Sequence, residues 1–192
     1  MTKTLYLMHH GETLFNVLNK IQGSCDSPLT EKGISQAQAA ARYFSQQGIV
    51  FDHAYCSTQE RASDTLEIVT DQSYQRLKGI KEMSFGAYEG ERQLLQPMPH
   101  EKYSDYYQQF GGETIQELRT RVSETLTSLM EMADHQSVLA VSHSGAIYSF
   151  LSYISGDYAV SRTTSIPNAG IIQLTFADGK FTVVEIIDPS EM

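Results

Sequence analysis

Ser137-Val138-Leu139-Ala140-Val141-Ser142 is an unbroken apolar run of strand length that leads directly into His143-Ser144-Gly145. Such a run belongs inside a parallel sheet whose two faces are both covered by helices. Working outward, Thr4–Met8 reads as a second buried strand and His53–Cys56 as a third, short one. Thr30 caps a helix with Ile34, Ala37, Ala41 and Phe44 at helical spacing, and Ser57 or Thr58 caps another running through Ala62, Thr65 and Val69. Thr114-Ile115-Gln116-Glu117 is a capping box opening a long helix with Leu118, Val122, Leu126 and Leu129 on one face. Gly145–Ile154 is the helix after the central strand. Asp178-Gly179 joins Ile171–Phe176 to Phe181–Ile187 as a hairpin. The alternation predicts one α/β domain over residues 1–192: three layers, a mostly parallel sheet with helices on both faces, and an antiparallel edge. The stretch Arg92–Gly112, with Pro97, Pro99, Lys102, Tyr103, Tyr106, Tyr107 and Phe110, breaks this rhythm. It reads as an inserted lid or as a solvated helix packed on one side. In the lid reading, Lys102 is placed to meet a second negative charge on the substrate.

Composition narrows the partners. The chain has 192 residues, 41% hydrophobic and 19% charged, with 14 Lys and Arg against 23 Asp and Glu for a net charge of −9. That balance offers neither nucleic acid nor anionic membrane a global attraction, so anion-binding residues must gather in a local pocket. No apolar run reaches membrane-spanning length, and Met1–Met8 meets a polar cluster too soon for a signal peptide. Cys25 and Cys56 form no C-x-x-C pair and are expected to be free thiols in a reducing cytoplasm.

Three polar clusters follow strands: His9-His10-Gly11-Glu12-Thr13, Ser57 through Arg61, and Ser142-His143-Ser144-Gly145. In an open parallel sheet, residues just beyond the carboxyl ends of strands converge on the ligand crevice. Two clusters also lead into helix N-termini, whose free N–H groups favour an anion. Histidines, an arginine and helix N-termini together suit a phosphate.

Leu7-Met8-His9-His10-Gly11-Glu12-Thr13 with Asn16 resembles the L-V-R-H-G-E-T-x-x-N signature of the histidine phosphatase superfamily, the phosphoglycerate mutase-like fold. The resemblance continues in order through Gln22-Gly23, Asp26–Gly33, Ser57, Arg61–Thr65, Glu82-x-x-Phe85-Gly86-x-x-Glu89-Gly90, Gly112-Glu113-Thr114, Val141–Gly145 and Pro167-Asn168-Ala169. It implies that His10 is the nucleophile that becomes a phosphohistidine. Glu82 would be general acid and then base, and His143 a donor to the equatorial oxygens. Arg61 would clamp the phosphate, with further donors from Asn16, Gln22, Gly23 and Ser144. No metal or organic cofactor is implied, and the expected ligand is a small-molecule phosphate monoester.

His9 would also be a phosphate-binding residue, but it departs from the family, which carries Arg there donating to the same phosphate. An imidazole is shorter, has at most two donors, and is partly charged near neutrality at its ordinary pKa of ~6.5. This leaves open a weakly active or inactive phospho-ligand-binding protein. Phosphoglycerate mutase-type transfer is the other alternative, although Glu82-Met83-Ser84-Phe85-Gly86 resembles the phosphatase branch, where mutases carry Glu-Arg-x-Tyr-Gly. A metal site at His9, His10, Glu12 and His143 is disfavoured because adjacent strand residues point to opposite faces. A serine hydrolase lacks the first glycine of its nucleophile elbow.

Overall fold

The computed structural model describes residues 2–96, 103–156 and 165–192. Its centre is a six-stranded sheet made of β1 (Lys3–His9), β2 (His53–Ser57), β3 (Tyr74–Leu77), β4 (Ser137–Ser142), β5 (Ile171–Ala177) and β6 (Lys180–Ile187). The strand order is β3-β2-β4-β1-β5-β6. The first four in that order pair in parallel, and β5 and β6 join as an antiparallel edge. β4 sits between β1 and β2, and Val138 through Val141 are fully shielded, as the apolar run requires.

Alternation along each strand builds two cores. Leu5, Leu7, Val138, Ala140, Ile172 and Leu174 pack with α5 (Ile115–Glu131) and α6 (Ser144–Ser155). Tyr6, Met8, Leu139, Val141 and Ile171 pack with α2 (Glu31–Gln46) and α3 (Glu60–Val69) on the other face. The three-layer expectation therefore holds, with α1 (Leu14–Val17) and α4 (Tyr103–Tyr106) as short additions.

Four details differ from the sequence reading. The strand β3 was not anticipated, because Tyr-Gln-Arg-Leu is short and polar and lies at the sheet edge, where neither face needs a full apolar set. The buried face of α2 is Gly33, Ala37, Ala40 and Phe44, whereas Ile34 points to solvent and Ala41 is only half-buried. The N-cap of α3 is Gln59 and not Ser57 or Thr58: the chain turns helical only at Glu60, and the Ser57 hydroxyl, at the end of β2, accepts from Gln59 N and reaches His143. Within 92–112, Tyr107 is fully buried against Phe85 and Leu118, so this part of the segment is anchored in the core. Pro97, Pro99 and Lys102 lie outside the described residues, and the side chain of Tyr103 is likewise outside them.

Candidate active site

Register brings the polar clusters together. His9 pairs with Ser142 across β1 and β4, and Cys56 pairs with Val141 across β2 and β4, so three strands end on one line. The His10 and His143 rings, 133 residues apart in the chain, have centroids 5.3 Å apart. The His9 and His10 rings are 4.4 Å apart, edge to face. The opposite-face argument does not apply to this pair, because β1 ends at His9 and His10 lies beyond the pleat.

Both nitrogens of His10 have assigned roles. Nδ1 lies 2.7 Å from the Gly11 carbonyl, which can only accept, so Nδ1 carries the hydrogen. Nε2 accepts from Arg61 Nε at 3.2 Å and keeps its lone pair. Burial, followed by the charges of His9 and Arg61, holds the His10 pKa well below its ordinary value. The ring is thus neutral at pH 7, with its unprotonated nitrogen facing an arginine. The loop after residue 165 holds its backbone: Ala169 N donates to the His10 carbonyl at 2.9 Å and Gly170 O accepts from His9 N. Ala169 does so at φ +58°, a left-handed conformation that costs a non-glycine residue free energy of order 1 kcal/mol.

Arg61 is almost completely buried and turns one edge inward. Its Nη1 donates to Cys25 O and Asp26 Oδ1, and its Nη2 to Gly23 O. Those bonds leave Nε and one Nη2 hydrogen on the edge toward His10. Gly23 therefore orients Arg61 through its carbonyl. Its N–H is spent on Glu89, so it has no donor left for a ligand.

At the Ser57 hydroxyl, Gln59 N donates to Oγ while Oγ lies 2.6 Å from His143 Nε2. With the hydroxyl assigned as donor to that nitrogen, the neutral His143 ring carries its hydrogen on Nδ1. Burial, then Arg61, keeps the ring neutral. His143 Nδ1 is buried and has no hydrogen-bond partner among the described residues, as is also true of Gln22 Nε2. Buried orphan donors are costly, so each of the two calls for an acceptor. Thr13 caps α1 and Asn16 Oδ1 returns the bond by accepting from Thr13 N, leaving the Asn16 amide NH₂ as a donor. Ser144 is the first residue of α6, half-buried at its N-terminus.

Glu82 is buried beside this group. Its oxygens accept from Met83 N and Gly145 N, each at 2.8 Å. Burial pushes its pKa up, against the downward pull of those N–H groups and of Arg61 and Arg121. A Cβ on Gly145 would lie 2.5 Å from Glu82 Oε1, so only glycine lets the carboxylate sit there. Glu12 is turned away, held by Thr30 and Lys32.

Three organising residues were not assigned roles from the sequence. Gln59 accepts from Glu82 N and donates to Gly23 O, linking Glu82 to the arginine cradle. Glu89 accepts from Gly23, Ser24, Cys25 and Phe85 N–H groups and shapes the loop under Arg61. Arg121 donates to Gly79 O, Lys81 O, Glu82 O and both oxygens of Glu113, which uses all five of its hydrogens. Glu89 and Glu113 stand inside the quoted motifs; Gln59 carries no such signal.

The sequence profile of the histidine phosphatase superfamily (branch 1) matches residues 5–189. This chain belongs to that superfamily. It is 30% identical over 183 residues to the "Uncharacterized phosphatase PhoE" of Bacillus subtilis, covering 92% of this chain and 90% of that protein. It is 33% identical over 163 residues to the "Probable phosphoglycerate mutase GpmB" of Yersinia pestis, covering 79% and 74%. Among solved structures it resembles a phosphoserine phosphatase of Entamoeba histolytica, with a TM-score of 0.83, 25% identity and 99% of each chain covered.

For this histidine phosphatase superfamily member, His9 is the informative departure. It is buried, its Nδ1 lies 3.2 Å from Pro167 O, and burial followed by the Arg61 charge lowers its pKa to about 4. The expectation of partial charge near neutrality is therefore corrected: the ring is neutral at pH 7. Its one N–H is committed to Pro167 O, so it offers no donor to an incoming phosphate. His9→Arg should add a permanently charged donor and raise kcat/KM roughly 10- to 150-fold, the worth of one charged hydrogen bond. Because His9 titrates near 4, that ratio should stay flat between pH 6 and pH 8. An unchanged kcat/KM would place the missing donor elsewhere.

Acid stability follows from the same burial. The unfolded chain protonates His9 near its ordinary pKa of 6.5 and the folded chain only near 4. Stability is thus complete above pH 6.5 and lost as pH falls toward 4, by about 3 kcal/mol from His9. His10 and His143 act in the same direction, and Glu82, with its raised pKa, acts in the opposite one. Thermal unfolding should show a large drop in Tm from pH 7 to pH 4.5. The drop should shrink in His9→Asn; equal drops in parent and variant would contradict this assignment.

Proposed function

We propose that the protein hydrolyses small-molecule phosphate monoesters through a phosphohistidine on His10. The observation that carries this reading is the pair of fixed hydrogen bonds on that ring: Nδ1–H on Gly11 O, and the Nε2 lone pair held beside Arg61. In the first step Nε2 attacks phosphorus, the bond to the ester oxygen breaks, and the carboxyl of Glu82 gives its proton to the departing alkoxide. Nε of Arg61, released from His10, and Nδ1–H of His143 stabilise the charge on the equatorial oxygens. In the second step the Glu82 carboxylate takes a proton from water as its oxygen attacks phosphorus. The P–N bond breaks and neutral His10 returns with inorganic phosphate.

Transfer to a second substrate position, as in a mutase, is the competing reading, and one of the named relatives is described in those terms. Hydrolysis is favoured by the residue after Glu82, a buried Met83 in place of the mutase arginine. Arg121, the cation bonded to the Glu82 carbonyl, has its hydrogens committed to backbone and Glu113. No metal takes part in the proposed steps. A panel of phosphomonoesters assayed in EDTA tests the reading. Release of inorganic phosphate by the parent, absent in His10→Ala, supports it; isomerised phosphoester without free phosphate supports the mutase, and loss in EDTA with recovery on a divalent ion overturns the metal-free steps.

A further inference from the structure

A second histidine cluster lies at the opposite end of the sheet. His53 opens β2, whose far end is Ser57 on the active-site line, about 13 Å away along the strand. His135 lies two residues before β4, and Asp134 lies in the turn after α5. His53 Nε2 is 3.1 Å from one Asp134 oxygen, and His135 Nδ1 is 2.9 Å from the other. The two rings stack, with centroids 3.8 Å apart. One ligand atom from each of the three residues falls within 4.8 Å of the others.

Two imidazole nitrogens and one carboxylate oxygen suit a borderline divalent ion such as Zn²⁺ and not the all-oxygen preference of Mg²⁺ or Ca²⁺. The surroundings match such a centre. Tyr55 OH lies 2.6 Å from His135 Nε2, the outer partner that fixes a ligating ring when its other nitrogen faces a metal. Asp52, whose carboxylate accepts from Gln136 N and Ser137 N, adds negative charge at the same edge. In this arrangement both rings turn an N–H toward Asp134. For a cation to take those two nitrogens, each ring moves its hydrogen to the other nitrogen, and His135 Nε2–H then donates to the Tyr55 oxygen. Stacked rings cannot both aim in-plane lone pairs at one ion, so His53 must turn. It is a third exposed and has room to do so, while His135 stays buried.

We propose that His53, Asp134 and His135 bind one Zn²⁺-type ion, with water in the fourth position, tying the turn between α5 and β4 to the start of β2. The site is independent of the catalytic reading.

Calorimetric titration of the EDTA-stripped full chain with Zn²⁺ tests it, with Mg²⁺ as the control ion. The expected result is one equivalent of Zn²⁺ bound and a raised Tm, equally in the parent and in His10→Ala. His53→Ala and Asp134→Ala, both at exposed or half-exposed positions, should weaken binding at least tenfold without altering phosphate release. Absence of Zn²⁺ binding, binding unchanged in His53→Ala, or binding lost in His10→Ala would each overturn the proposal.

Discussion

His10→Ala is expected to abolish turnover, with a loss of roughly 10³-fold or more in kcat, because no other group takes over covalent catalysis. The fold should survive. Removing the ring deletes one buried bond from Arg61, whose bonds to Gly23, Cys25 and Asp26 remain. Steady-state kinetics together with circular dichroism check both halves. Retained phosphate release by a folded His10→Ala would remove the nucleophile from the mechanism. Binding is expected to persist or tighten, since the arginine edge facing His10 loses a competing acceptor.

Glu82→Gln is the second large effect, expected at roughly 10²- to 10⁴-fold, the usual worth of a general acid–base. The amide keeps the shape and can still accept from Met83 N and Gly145 N, so little stability is lost. Leaving-group chemistry separates this role from a structural one. An alkyl phosphate needs the proton from Glu82 and should suffer the full loss; a p-nitrophenyl ester leaves without it and should lose much less in the first step. The pH dependence gives the sign. The protonated carboxyl is the active form for the first step, and burial raises its pKa above the ordinary carboxylate value. The parent's kcat/KM for alkyl esters should therefore fall as pH rises through that raised pKa, and the fall should be absent in Glu82→Gln. Equal losses for both leaving groups would point to a positioning role.

Much of this was legible from the strand-then-polar pattern. Ser137–Ser142 could only be a central strand, and once β1, β2 and β4 ran in parallel, His10, Arg61 and His143 had to meet at their ends. Glu82 was placed by its motif, since no periodicity surrounds it. What escaped reading depends on groups that sequence spacing does not register. β3 is stabilised by pairing with β2 and not by an apolar pattern of its own. Gln59 acts through an amide that bridges Gly23 and Glu82, 36 and 23 residues away in the chain. The state of His9 is decided by burial and by a carbonyl at Pro167, far along the chain, so its neutrality was invisible until the loop was in place. Arg61, expected as a phosphate clamp, also has three of its hydrogens committed to Gly23 O, Cys25 O and Asp26 Oδ1, because a buried guanidinium must find acceptors.

The most direct test of the account is rapid-quench trapping with a ³²P-labelled monoester, followed by peptide mapping of the labelled protein. The account predicts label on His10 alone, stable in base and labile in acid, appearing before free phosphate and accumulating in Glu82→Gln when the leaving group is p-nitrophenol. Free phosphate formed with no labelled protein at any quench time, or label on a residue other than His10, would contradict it.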